Sequence, residues 1–103
     1  MKNLLVACAM LAGLTLGAAV EANEKLAQSS GCTVCHGVDK KVIGPSYKEV
    51  ADKYRNDKTA AAGLFQKAKA GGKGVWGDMP MPPNPHVKDE DIKTIVQWIL
   101  SVK

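Results

Sequence analysis

Five consecutive residues, Cys32-Thr33-Val34-Cys35-His36, constrain this 103-residue chain more than any other feature. A C-x-x-C-H run reads as the attachment site of a c-type haem. Two thiols two residues apart can form thioethers to the two vinyl groups on one edge of a macrocycle. The histidine that follows is then held beneath the ring, where its imidazole can ligate iron. Two rival readings exist for the same pentapeptide: a C-x-x-C redox or zinc domain without haem, and a haem enzyme or gas sensor with an open iron site. The first calls for a thioredoxin-like βαβ pattern, which is missing from this sequence.

The chain has room for one domain, and its first part is expected to lie outside that domain. Met1-Lys2-Asn3 forms a short positive start, Leu4 to Val20 is a nearly unbroken run of small and apolar residues, and Val20-Glu21-Ala22 suits a signal peptidase. Residues 1–22 are therefore expected to be a cleaved signal peptide, with cleavage after Ala19 as the alternative, and 23–103 to be the mature domain in the periplasm. The apolar run is just short of what a retained membrane anchor needs. Leu5-Val6-Ala7-Cys8 looks like a lipoprotein box, but only seven residues precede Cys8, too few for a working leader. Cleavage leaves two cysteines, both in C-x-x-C-H, so no disulfide is expected. It also removes Lys2 and Glu21 together and leaves the net charge at +4. A domain of about eighty residues makes a thin core and often needs a staple; a covalent haem supplies one, with a large apolar face for helices to pack on.

The pattern is all-α, with about four helices. A short helix from about Glu24 to Ser30 turns Leu26 and Ala27 inward and ends at Gly31, which lets the backbone approach the haem edge at Cys32. Gly44-Pro45 makes a turn, after which Tyr47, Val50, Ala51 and Tyr54 follow helical spacing. A third helix opens near Thr59 as N-cap and carries Leu64, Phe65 and Ala68 to a Gly71-Gly72 stop, weakened by Gly63. The last, Asp89 to Val102, aligns Ile92, Ile95, Val96, Ile99 and Leu100, with acids in its first turn and Lys103 at its end, as the helix dipole favours.

Between the third and last helices runs Gly74-Val75-Trp76-Gly77-Asp78-Met79-Pro80-Met81-Pro82-Pro83-Asn84-Pro85. Four prolines in six positions exclude helix and central strand and build a stiff extended loop. A thioether from such a loop, placed opposite His36, would complete His/Met coordination, which raises the reduction potential as in electron-transfer cytochromes. Met79 and Met81 are both candidates, against the plain alternative that they fill the core.

Together, C-T-V-C-H, V-I-G-P-S-Y (Val42 to Tyr47) and G-V-W-G-D-M-P-M-P-P-N (Gly74 to Asn84) resemble the small bacterial class I cytochromes c of the c551/c552 type. The resemblance covers essentially the whole mature chain, including its Trp98-Ile99-Leu100 ending. It implies a small cytochrome c fold of about four helices around one covalently bound haem c. The implied role is electron transport to nitrite reductase, cytochrome c peroxidase or a terminal oxidase. Residue by residue, it implies Met81 as the axial methionine and Cys32 and Cys35 as the tethers. Asn84 is implied to hydrogen-bond near the sulfur, and the Pro45 carbonyl to take the proton on the other nitrogen of His36. Trp76 is implied as a donor to a haem propionate.

Three departures stand out. Lys67 occupies the place of an arginine near the propionates and cannot make its bidentate fork. Lys88 replaces a capping serine, leaving Asp89 as the candidate cap. The link after Asn84 is one residue longer and carries His86, an expected exposed loop histidine and otherwise a competitor of Met81 for iron.

No acid–base pair, nucleophile arrangement or phosphate loop is present, and two filled axial positions leave iron no open site. The chain is therefore expected to be a carrier and not an enzyme, probing no small-molecule substrate. It is expected to be a monomer that docks transiently on periplasmic or membrane-bound redox proteins. Lys40, Lys41, Lys48, Lys67, Lys69 and Lys73 are candidates for steering toward an acidic patch, against a scattered solvated surface. The small charge excess does not suit nucleic-acid binding.

Overall fold

The computed structural model describes residues 22–103, so all of the expected leader but Ala22, including Cys8, lies outside the described residues. Four helices follow in order: α1 over 22–29, α2 over Tyr47–Tyr54, α3 over Ala60–Ala70 and α4 over Asp89–Leu100. Cys32–Val34 forms a single 3-10 turn between α1 and α2. Among the described residues extended pairing is limited to two isolated bridges, His36 with Lys41 and Gly72 with Met81. None of the described helices is long and apolar enough to cross a membrane.

Helix α4 is the element on which both α2 and α3 pack. Its Ile95 and Trp98 meet Ala27 of α1 and Tyr47 of α2 in one buried cluster, with Leu26 and Cys32 at its margin. Its Ile92 and Val96, with Val87, form a second cluster against Leu64, Phe65 and Ala68 of α3. The helical spacing read from the sequence thus marks the buried stripe. Trp98 extends it onto α1, and α4 stops at Leu100, two residues short of the expected end.

The helix starts differ from expectation in instructive ways. Ser46 caps α2: its Oγ accepts from Glu49 N–H (3.1 Å), and Glu49 Oε1 accepts from Ser46 N–H (3.3 Å). This reciprocal pair satisfies two donors that a bare helix end leaves open. Thr59 stands at the N-cap of α3 but makes no capping bond. Its hydroxyl donates backward to Asp57 Oδ1 (2.7 Å), which also accepts Thr59 N–H (2.9 Å). Asp89 does not cap α4. It is the first residue of the helix, Lys88 is the N-cap, and the Asp89 carboxylate pairs with Lys69 of α3. An acid at that position still favours the positive end of the helix dipole. Gly31 sits at φ 89°, with no atom within 4 Å of an added Cβ. The left-handed backbone alone favours a residue without a Cβ there.

Candidate functional site

The 3-10 turn brings the C-x-x-C-H residues into a compact loop. His36 N–H reaches back to Cys32 O (3.0 Å), and Cys35 O accepts from both Ile43 N–H (3.2 Å) and Gly44 N–H (2.8 Å). Both thiols are free and half-buried. Burial pushes the Cys32 thiol above its ordinary value, a backbone hydrogen bond partly offsets this, and neighbouring Cys35 adds to the rise.

The returning strand of this loop orients His36. Its Nδ1 lies 2.6 Å from Pro45 O. A carbonyl can only accept, so Nδ1 carries the proton and Nε2 keeps a lone pair for a metal. The ring stacks on Tyr47 (centroids 5.8 Å, 26° between planes), and Tyr47 meets Trp98 edge-on at 5.3 Å. Gly44 makes this packing possible, because a Cβ there would stand 2.7 Å from His36 Cε1. Tyr47 is buried, and its hydroxyl finds no hydrogen-bond partner among the described residues. Burial, first, then the nearby Cys32 and Glu24, raise its phenol well above the ordinary range.

The proline-rich loop is fixed at Met81. Met81 N–H donates to Gly72 O (2.8 Å) and Gly72 N–H donates to Met81 O (3.0 Å). Gly71, at φ 77°, permits the approach: a Cβ on it would lie 2.6 Å from Met81 O. Asn84 Nδ2 donates to Ala68 O (2.8 Å) and Pro82 O (3.4 Å), tying the last turn of α3 to the residue after Met81. Met79, by contrast, is 68% exposed. His86 is exposed, with Nε2 3.4 Å from Ser30 O.

These parts converge on one cleft with an empty volume of about 1070 Å³, its open mouth included. His36, Pro45, Met81, Trp76 and Lys67 all line it, as does Met79. An adjoining cavity of about 380 Å³ reaches Cys32 and Asn84 and shares Met81, Val96 and Ile99 with the cleft. Of the residues read from the sequence, Lys41 and Lys73 also face the cleft, whereas Lys40, Lys48 and Lys69 do not line it. Ile43, Trp76 and Met79 leave a third or more of their surface uncovered at its margin. A haem suits this set of donors: two thiols, one imidazole lone pair, thioethers, apolar walls and ammonium groups for carboxylates. No group of three or more His, Cys, Asp or Glu among the described residues is placed to hold a metal ion of the zinc type. Sequence reasoning missed Ser46 as a cap, and it placed Gly44 in a turn and Gly71 at a helix stop without their packing roles. The S-x-x-E spacing signals the first, but the two glycines depend on contacts between segments distant along the chain.

Known proteins of similar sequence and fold are cytochromes c. The cytochrome c family model matches residues 20–103. Cytochrome c-551 of Allochromatium vinosum is 52% identical over 89 residues, covering 86% of this chain and 95% of that protein. Cytochrome c-552 of Hydrogenobacter thermophilus is 49% identical over 102 residues, covering 99% and 98%. The crystal structure of Nitrosomonas europaea cytochrome c552 superimposes with a TM-score of 0.75 at 46% identity, covering 78% of this chain and 99% of that one.

Proposed function

This chain belongs to the cytochrome c family, and we propose that it is a periplasmic carrier with iron held between His36 and Met81. It is a single-haem class I cytochrome c, an electron carrier and not an enzyme, with one covalently bound haem c. When bound, the haem supplies a one-electron iron couple whose potential the axial ligands set.

The observation that carries the proposal is that His36 and Met81 line one cleft, each on backbone fixed by hydrogen bonds. In this reading Cys32 and Cys35 tether the ring. Pro45 holds the His36 proton on Nδ1 and turns Nε2 to iron. Gly72 and Asn84 fix the loop so that the Met81 sulfur is presented without reordering at each electron transfer. Trp76 and Lys67 serve the propionates. With His36 and Met81 both holding iron, no position would remain open on it for peroxide, oxygen or a substrate.

Cytochrome c carriers meet their redox partners transiently. Here the partners are a respiratory acceptor such as nitrite reductase, cytochrome c peroxidase or a terminal oxidase, approached by a monomer. The 1–22 leader would deliver the chain to the compartment in which such haem is attached.

The test is the pyridine haemochrome of protein recovered from periplasm, after extraction with acidified solvent. Haem that stays with the polypeptide and gives the spectrum of a two-thioether adduct supports the reading. Extractable haem, or no Soret band, overturns it.

A further inference from the structure

Trp76 lines the cleft, yet its own backbone does little to keep it there. The 74–78 turn closes on one internal hydrogen bond, Gly74 N–H to Gly77 O (2.9 Å). It pivots on two glycines, Gly74 at φ 113° and Gly77 at φ 116°. Such glycines give the turn its path but contribute no side chain to pack. Trp76 belongs to neither buried core cluster.

A different element reaches it. Lys53, in the last turn of α2, places its ammonium 5.6 Å from the centroid of the Trp76 ring and 5.8 Å from that of Tyr54. Both distances fall within the range of cation–π attraction, for which indole is the best of the natural rings. Neighbouring Asp52 is engaged by Arg55 at 2.5 Å, and Lys53 forms no salt bridge among the described residues. Helix α2 is a firm base for this reach. Its start is locked by the Ser46–Glu49 capping box, and its first residue, Tyr47, stacks on His36.

We infer that Lys53 is a positioning residue that holds Trp76 against the cleft by the face of its indole. The inference rests on the cleft being the haem site. Lys53 then links the helix that backs the ligand histidine to the loop that carries the propionate donor. An exposed contact of this kind biases the indole between held and released positions by about two- to fivefold.

NMR of the reduced, diamagnetic holoprotein tests this. In the unchanged protein the Lys53 ε-methylene protons are expected to be shifted upfield by the ring and to show cross-relaxation with the Trp76 ring protons. In Lys53→Met, exchange of the Trp76 indole N–H with solvent is expected to quicken about two- to fivefold. Lys53→Arg, whose guanidinium also stacks on aromatic faces, is expected to retain the original rate. The Trp98 N–H should stay constant throughout. The inference is overturned if Lys53→Met leaves the Trp76 rate unchanged, or if Trp76 and Trp98 quicken together, which would report general loosening. It is also overturned if Lys53→Arg behaves as Lys53→Met. The haem spectrum of each sample is recorded first. A missing haem spectrum in the unchanged protein defeats the haem reading, whereas a normal one with an unmoved Trp76 defeats the role of Lys53 alone.

Discussion

Replacing Gly44 by alanine adds one methyl group directly against the ring of His36. The new Cβ would lie 2.7 Å from His36 Cε1, 3.1 Å from Nδ1 and 3.4 Å from Nε2. Ordinary carbon contacts are ~3.5–4.0 Å, so the nearest is short by about 1 Å. The ring has little freedom to withdraw, because Nδ1 is bonded to Pro45 O at 2.6 Å and Tyr47 stacks on the ring. Gly44 is not among the glycines with positive φ, so alanine costs no backbone strain and the test is purely steric. Overpacking of this kind costs about 1–3 kcal/mol. For a domain of this size, thermal midpoints move ~4–8 °C per kcal/mol. The melting of oxidised holoprotein, followed by circular dichroism, should therefore fall by roughly 5–20 °C in Gly44→Ala. The matched control is Gly63→Ala, within α3, where nothing lies within 4 Å of the new Cβ and φ is again not positive. It should stabilise by about 0.5–1 kcal/mol. If Gly44→Ala melts within ~2 °C of the parent, His36 is not confined as described.

Other expectations are simpler. Ser46→Ala removes the buried hydroxyl that accepts from the Glu49 N–H and should cost about 1–2 kcal/mol by urea denaturation; an unchanged midpoint would show the capping box to be idle. Lys69→Met removes an ion pair whose side chains are 45% and 54% exposed, so it should cost less than about 1 kcal/mol and the difference should shrink at high salt. Asp57 provides a pH test: first the Thr59 hydroxyl and then the Thr59 N–H hold its carboxyl below the ordinary value. The resulting stabilisation is present above the ordinary carboxyl range and is lost as pH falls through the lowered folded value. Thr59→Val removes the larger cause, and the Asp57 NMR titration midpoint should rise; an unmoved midpoint would contradict the assignment.

The elements legible from sequence were those whose signal is local. Ile92, Ile95 and Val96 announce the buried side of α4 by spacing alone, and Cys32, Cys35 and His36 announce their chemistry by type and order. The N-terminal boundaries were harder because competing hydrogen bonds decide them. Thr59 is a good capping residue, but Asp57 two positions earlier takes its hydroxyl. Asp89 has the right side chain to cap α4, yet Lys69 from another helix claims the carboxylate. Gly44 and Gly71 were illegible for a further reason. Each is required by atoms it touches across the fold, the His36 ring in one case and the Met81–Pro83 backbone in the other. Met79 and Met81 are equivalent by composition. What separates them physically is the paired bonding of Met81 to Gly72 and the open exposure of Met79.

That distinction supports the most direct measurement of the closed-centre account. The oxidised holoprotein should show the far-red charge-transfer band from methionine sulfur to ferric iron. Met81→Ala should abolish the band, whereas Met79→Leu should leave it intact. A band that survives in Met81→Ala, or disappears in Met79→Leu, would contradict the pairing of His36 with Met81 as the axial ligands.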